Sequence, residues 1–183
     1  MKRMMIALAL FVTFGWIATS AEPTKSYLMN PNIDMAGYLQ YAQAAAKHRE
    51  TRRIGEEEFI RMAAEEGTII LDARSKEKYD VMHIKGAINI SFPDITIASL
   101  RTMLPDPNAR ILIYCNNNFK NNQNAFPSKL PSASLNIATY ITLYLYGYRN
   151  VYELAPLVDP AESKLGFEPA VEVVSRSTRD RRN

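Results

Sequence analysis

Apolar residues along the chain follow two patterns, one typical of buried strands and one typical of helices. Short apolar runs of strand length occupy residues 68–73, 87–90, 110–115 and 150–155, with a shorter one at 53–54. Strong helix formers and helical spacing of apolar residues mark segments 36–49, 56–67, 75–82, 93–104 and 132–148. Strands that are apolar throughout and alternate with helices predict an α/β fold, with a parallel sheet flanked by helices on both faces.

The N-terminus has the layout of a secretory signal peptide. Lys2 and Arg3 precede an uncharged apolar run over residues 4–18, and small residues follow. This run is shorter than the roughly 20 residues that a membrane span needs. We therefore expect cleavage near Ser20 or Ala21 and a mature protein in the periplasm or secreted, without a stable membrane span. An uncleaved anchor or a buried helix is the alternative.

The remaining chain is long enough for one domain with a substantial core. We expect a signal peptide (1–21), a linker and N-terminal helix (22–51), a main domain (52–168) and a basic, disordered tail (169–183). The formal net charge is +3, and two of these charges lie in the predicted signal peptide. The mature protein is thus nearly neutral, which gives no electrostatic reason to expect nucleic-acid binding. A weak contact of the tail with anionic lipid is the alternative to a solvated terminus.

The sequence contains one cysteine, Cys115, so an internal disulfide is excluded. A lone cysteine in an exported protein is a reactive thiol, half of an intermolecular bridge or an inert buried side chain. Cys115 ends the apolar run 110–115, and ligands of parallel α/β folds bind beyond the carboxyl ends of the strands. Its position therefore favours a functional thiol at the start of the asparagine-rich loop that follows.

Three segments, in this order, resemble the motifs of rhodanese-like domains. The matching residues of the first are Asp72, Arg74, Glu77, Tyr79, His83, Ile84, Gly86, Ala87 and Asn89. The second is Ile113, Tyr114 and Cys115, and the third comprises Gly147, Tyr148, Asn150, Val151, Tyr152 and Leu154. The resemblance covers roughly residues 52–168 and implies a rhodanese-like parallel α/β domain.

The resemblance implies a sulfurtransferase in which Cys115 carries sulfane sulfur as a persulfide. In this chemistry the thiolate attacks the outer sulfur of thiosulfate or a similar donor, and the persulfide passes that sulfur to cyanide or another thiol. The implied partners are a small sulfur-containing anion or a thiol acceptor, which includes a protein thiol. The resemblance implies no cofactor. No metal site is expected, because His48 and His83 lie far apart in sequence and one cysteine is too few.

Two charged residues of the first motif are interpreted as supports of the scaffold. Asp72 and Arg74 are interpreted as residues that orient the structure rather than react, and Glu77 and Asp80 are the expected ion-pair partners of Arg74. His83 is interpreted as a structural residue, since nothing in the sequence marks it as a general base.

The loop after Cys115 departs from the family pattern, because it is longer and contains neither glycine nor arginine before the next helix. Asparagine tolerates left-handed backbone geometry, so backbone N–H groups are still expected to curl around the sulfur. The predicted substrate-binding residues are Asn116, Asn117, Asn118, Phe119 and Lys120. Lys120 would supply a positive charge without the planar fork of arginine, and Phe119 and Phe126 would fold the loop down as a lid.

Two other functions remain possible on the sequence alone. A non-catalytic rhodanese-like module would use the 116–131 loop to recognise a partner. A thiol phosphatase or arsenate reductase is disfavoured, because those chemistries need a loop arginine to clamp a tetrahedral oxyanion, and the loop has none.

Overall fold

The computed structural model describes residues 30–168. The predicted signal peptide and the predicted C-terminal tail lie outside the described residues, as does most of the predicted linker. Residues 30–34 contain a turn closed by a hydrogen bond from the Ile33 N–H to the Asn30 carbonyl. The described residues from Met35 to Glu168 belong to one compact unit.

A parallel sheet of five strands forms the centre of the described unit, as the apolar runs predict. Its strands are β1 (Arg53–Ile54), β2 (Thr68–Asp72), β4 (Ile88–Asn89), β5 (Arg110–Tyr114) and β6 (Val151–Leu154), in the spatial order β1-β6-β5-β2-β4. Two shorter strands, β3 (His83–Ile84) and β7 (Phe167–Glu168), pair antiparallel in a separate sheet that the sequence pattern does not predict.

Five helices lie between or before these strands in the described range. They are α1 (Met35–Arg49), α2 (Glu56–Ala63), α3 (Lys76–Val81), α4 (Ile97–Met103) and α5 (Leu135–Leu145). The predicted helix over 93–104 is too long at its start. Thr96 and Ser99 form a reciprocal cap that fixes the first turn of α4, and a separate 3₁₀ turn precedes it. None of the described helices has the length and apolar composition to span a bilayer.

The sheet is buried on both faces, because alternate residues of its central strand enter two different apolar clusters. Ile111 and Ile113 pack with residues of α1, α4 and α5 on one face. Leu112 and Tyr114 pack with residues of α2 and with the loop that follows β5 on the other. Continuous apolar strands thus reflect burial on two sides, as the sequence predicts.

The N-terminal helix α1 packs against α5 at its C-terminal end. Ala45 is fully buried there, and Arg49 makes a bidentate ion pair with the buried Glu153 of β6. His48 lies near the same end of α1, with Nδ1 2.8 Å from the Tyr140 hydroxyl. Burial, together with nearby arginines, lowers the pKa of His48 below its usual value. The helix is therefore part of the folded unit.

Candidate active site

Cys115 lies at the junction that the sequence predicts, one residue after the carboxyl end of β5. Its side chain is 1% exposed. The sulfur nevertheless belongs to neither of the two apolar clusters, and Sγ lies 3.3 Å from the Ser134 hydroxyl. The thiol is thus enclosed, but at a polar boundary of the core.

The N-terminus of α5 faces this sulfur through Ser134, which is the residue that caps the helix. The first N–H groups of a helix lack intrahelical partners, and the helix dipole places partial positive charge there. This end of α5 is suited to stabilising negative charge on a sulfur atom or on a small anion. The Ser134 hydroxyl adds a hydrogen-bonding group that can donate to a sulfur atom or accept from it.

The first three asparagines after Cys115 form a 3₁₀ turn, Asn116–Asn118. The N–H groups of residues 118, 119 and 120 donate to the carbonyl oxygens of Cys115, Asn116 and Val158. The Asn118 N–H also takes part in a reciprocal cap with the Cys115 side chain. The expectation that N–H groups of the loop curl around the sulfur stays a prediction, and the α5 terminus is a further element that favours an anion.

Asn118 is the central hydrogen-bonding residue of the site. Its Oδ1 accepts from the Cys115 N–H at 2.9 Å and from the Asn136 side chain at 2.9 Å. Its Nδ2 donates to the Leu154 carbonyl at 2.7 Å. One buried amide, 5% exposed, therefore ties together the ends of β5 and β6 and the first turn of α5.

Asn116 and Asn117 hold the far part of the loop against this turn. Asn116 Nδ2 donates to the Pro127 carbonyl at 2.7 Å. Asn117 Nδ2 donates to the Lys129 carbonyl at 2.9 Å, and Asn117 Oδ1 accepts from the Lys129 N–H at 3.1 Å. The asparagine-rich composition thus serves to close a long loop on itself.

A buried charged network lies beneath the loop, and it involves both residues predicted to support the scaffold. Arg74 Nη2 lies 2.5 Å from Asp72 Oδ2, with both side chains at most 1% exposed. The Tyr114 hydroxyl donates to the same carboxylate at 2.5 Å. Burial raises the pKa of Tyr114 well above its usual value, and the Asp72 charge raises it further.

Arg74 also holds the loop in place. It donates through Nη1 to the Ala125 carbonyl at 2.8 Å, and its guanidinium lies 4.4 Å from the centre of the Phe126 ring. The expectation that Glu77 and Asp80 pair with Arg74 is wrong. Those carboxylates pair instead with lysines on α3, close to them in sequence.

His83 has a structural environment, in agreement with its interpretation from sequence. Its ring stacks on Tyr79 with 3.8 Å between centroids, and its Nδ1 lies 2.9 Å from the Tyr79 carbonyl.

Residues 56–155 match the family model of the rhodanese-like domain. The chain belongs to this family. The match confirms the resemblance of the three sequence motifs, and it includes Cys115, the 3₁₀ turn and the first turn of α5. The enclosed Cys115 thiol lies where the apolar strand of the family motif ends.

Solved structures with a similar fold share little sequence with this rhodanese-like chain. A rhodanese from E. coli, solved with anions, is 22% identical, with 56% of this chain and 98% of that chain covered and a TM-score of 0.38. The BH2092 protein from Bacillus halodurans is 23% identical, with coverages of 69% and 77% and a TM-score of 0.42. A thiosulfate sulfurtransferase from Pseudomonas aeruginosa is 22% identical, with coverages of 63% and 20% and a TM-score of 0.41. The chain thus spans about a fifth of that last protein. A comparison with curated protein sequences gave no match.

Two of the predicted substrate-binding residues, Phe119 and Lys120, have other contacts in the described structure. Phe119 is 1% exposed and packs against Phe126 with 4.2 Å between ring centroids, so both rings are core residues rather than parts of an open lid. Lys120 is exposed. A hydrogen bond from Asn121 and the charge of Lys120 lower the pKa of Asp159, so this lysine acts electrostatically on that carboxylate. Substrate binding by either residue stays a prediction.

Ser134 and Asn136 belong to the site, although the sequence motifs do not mark them. Ser134 contacts the sulfur, and Asn136 contacts Asn118. Serine is a preferred N-cap residue, and Ser134 directly precedes the first residue of α5. That signal, combined with the rule that ligands lie at strand ends near helix N-termini, is enough to find it.

Replacing Asn118 with alanine is expected to destabilise the domain by roughly 2–4 kcal/mol. The change leaves the buried Cys115 N–H, the Asn136 amide and the Leu154 carbonyl without this partner. Urea unfolding measures the effect. Asn150→Ala is the matched control, because Asn150 makes one exposed side-chain bond to the Asn108 carbonyl. Equal stability losses in the two variants would contradict a central role for Asn118.

Proposed function

We propose that this protein is an exported sulfurtransferase that carries sulfane sulfur on Cys115. The observation that carries the proposal is the position of the sulfur at the end of β5, 3.3 Å from the Ser134 hydroxyl at the N-terminus of α5. Family membership over residues 56–155 supports it. A nucleophilic sulfur needs stabilisation of its anionic form, and a helix N-terminus supplies it.

The proposed reaction has two displacement steps at sulfur. In the first, the Cys115 thiolate attacks the outer sulfur of thiosulfate. The sulfur–sulfur bond of thiosulfate breaks, sulfite leaves with the electron pair, and the enzyme holds a persulfide anion. In the second, cyanide or a thiolate attacks the outer sulfur of the persulfide, and the Cys115 thiolate is the leaving group. The N-terminus of α5 and the Ser134 hydroxyl stabilise the negative charge on sulfur in both the thiolate and the persulfide form of the enzyme.

The proposal includes the compartment in which the protein acts. The N-terminal sequence has the features of a signal peptide, and we propose the periplasm or the extracellular space as the site of action. A lone cysteine avoids internal disulfide formation in an oxidising compartment. The proposed acceptor there is cyanide, a small thiol or a protein thiol.

The second candidate is a non-catalytic rhodanese-like module that binds a partner through residues 116–131. Two observations favour it: the thiol is 1% exposed, and the N–H groups of residues 118–120 are engaged by carbonyl oxygens of the chain. Both observations describe the closed loop, and sulfur transfer at Cys115 would take place after the loop opens.

Incubation of the folded protein with thiosulfate and cyanide separates the two candidates. The sulfurtransferase proposal expects thiocyanate at a rate proportional to protein concentration. A rate equal to that of the buffer alone, over a wide range of donor concentrations, would favour the binding module.

A further inference from the structure

Residues 127–130 form a segment that we call the strap, and they lie against the turn that follows Cys115. The Asn117 side chain makes a reciprocal pair of hydrogen bonds with the backbone of Lys129, at 2.9 Å and 3.1 Å. One more side-chain bond, from Asn116 to the Pro127 carbonyl, joins the turn to the strap. The contacts that close the strap on the turn therefore come from the two residues next to the thiol.

Both ends of the strap are anchored in the fold. On one side, Phe126 is fully buried, and the preceding carbonyl accepts a hydrogen bond from Arg74. On the other side, the Ser134 N–H donates to the Pro131 carbonyl at 3.2 Å, immediately before α5. Opening of the strap therefore moves a short segment between two fixed points.

Besides the turn, the exposed Gln123 side chain contacts the strap: its Oε1 accepts from the Ser128 N–H at 3.1 Å, and its Nε2 donates to the Ser128 hydroxyl at 3.3 Å. Ser128, Lys129 and Leu130 are exposed, and Leu130 retains 74% of its accessible surface. Little apolar area is lost when such a segment lifts, so it belongs to the low-stability parts of a fold. In the closed form Asn116 Oδ1 is also buried without a hydrogen-bond partner among the described residues, which lowers the stability of the closed arrangement.

We propose that the strap gates the Cys115 sulfur and that the Asn117 side chain is its clasp. In the closed form the sulfur is enclosed, and breaking the Asn117–Lys129 pair releases the strap and admits a reagent. Applied to sulfur transfer, which rests on the proposed function, the gate opens for the donor and then shields the persulfide from solvent. The gating itself does not depend on catalysis.

Alkylation of the native protein by iodoacetamide measures access to the sulfur without requiring sulfur transfer. The reagent is small and uncharged, so nearby lysines do not alter its approach. If closing is faster than alkylation, the labelling rate follows the population of the open form. Asn117→Ala is expected to label about tenfold faster than the wild type, which corresponds to about 1.4 kcal/mol for the loss of two partly exposed hydrogen bonds.

Two control variants distinguish the loss of the Asn117 hydrogen bonds from other causes of faster labelling. Lys129→Ala removes the lysine side chain but keeps the backbone groups that Asn117 binds, so its labelling rate should equal that of the wild type. Asn150→Ala removes an exposed amide far along the sequence and should also leave the rate unchanged. Thermal unfolding of each variant confirms that labelling reports the folded state.

Acceleration confined to Asn117→Ala supports the gate. Unchanged labelling of Asn117→Ala would overturn it, and so would equal acceleration in all three variants, which would indicate general loosening. A protein with the predicted labelling pattern but no thiocyanate formation would retain the gate and lose the proposed sulfurtransferase activity.

Discussion

Replacing Cys115 with serine is expected to abolish thiocyanate formation from thiosulfate and cyanide while changing the free energy of unfolding by only about 1 kcal/mol. The serine hydroxyl is not ionised at neutral pH, and its oxygen does not serve as the sulfur carrier in the proposed displacement. The volume change is small, and the side chain lies at a polar boundary beside Ser134. Activity assays and urea unfolding on the same preparation measure both effects.

Asn150→Ala serves as the activity control for this variant, because Asn150 precedes β6 at the opposite end of the strand from the site. It should retain wild-type turnover. Turnover of Cys115→Ser close to that of the control would mean that the sulfur passes through another group, and the assignment of Cys115 would be wrong.

Replacing Asp72 with alanine is expected to lower the free energy of unfolding by about 3–5 kcal/mol. The change leaves the Arg74 guanidinium buried, with 1% of its side chain exposed, and without its carboxylate partner. The Tyr114 hydroxyl also loses the carboxylate to which it donates. Because Arg74 positions the loop at Ala125 and Phe126, activity should fall together with stability.

Asp80→Ala is the matched control for the loss of a carboxylate. Asp80 pairs with Lys76 on the surface of α3, where the two side chains are 47% and 69% exposed. Such exposed pairs contribute between 0 and about 1 kcal/mol. If chemical unfolding placed Asp72→Ala within 1 kcal/mol of this control, the buried network would not have the structural role described.

The sheet and its connections could be predicted from sequence because both faces of the strands are buried. Continuous apolar runs such as residues 68–72 and 110–114 reflect that burial directly, and the helices between them follow from apolar spacing. The strands β3 and β7 were missed because they pair with each other outside the central sheet. They therefore do not belong to the alternation of helices and parallel strands from which the other strands are predicted.

The ion-pair partners of charged side chains were harder to predict than the helices and strands. Glu77 and Asp80 are plausible partners of Arg74 by sequence distance, yet Asp72 pairs with it. Successive residues of an extended segment point to opposite faces, so residues two apart share a face. That rule favours Asp72 as the partner of Arg74.

The asparagines after Cys115 are predicted to bind substrate because asparagine tolerates the left-handed backbone geometry that would curl N–H groups around the sulfur. Asn116 and Asn118 are instead buried, at 4% and 5% exposure, and their amides bind main-chain carbonyls. A primary amide can satisfy a donor and an acceptor of the backbone at once. Which carbonyls it meets depends on the folded path of the loop, which the sequence does not specify.

The mass of the intact protein after treatment with thiosulfate shows whether Cys115 carries sulfur. After removal of the reagent, we expect a gain of one sulfur atom per chain, its loss on addition of cyanide, and no gain in Cys115→Ser. The absence of a sulfur adduct on the folded wild-type protein, or an adduct that persists in Cys115→Ser, would contradict the assignment of Cys115 as the sulfur carrier.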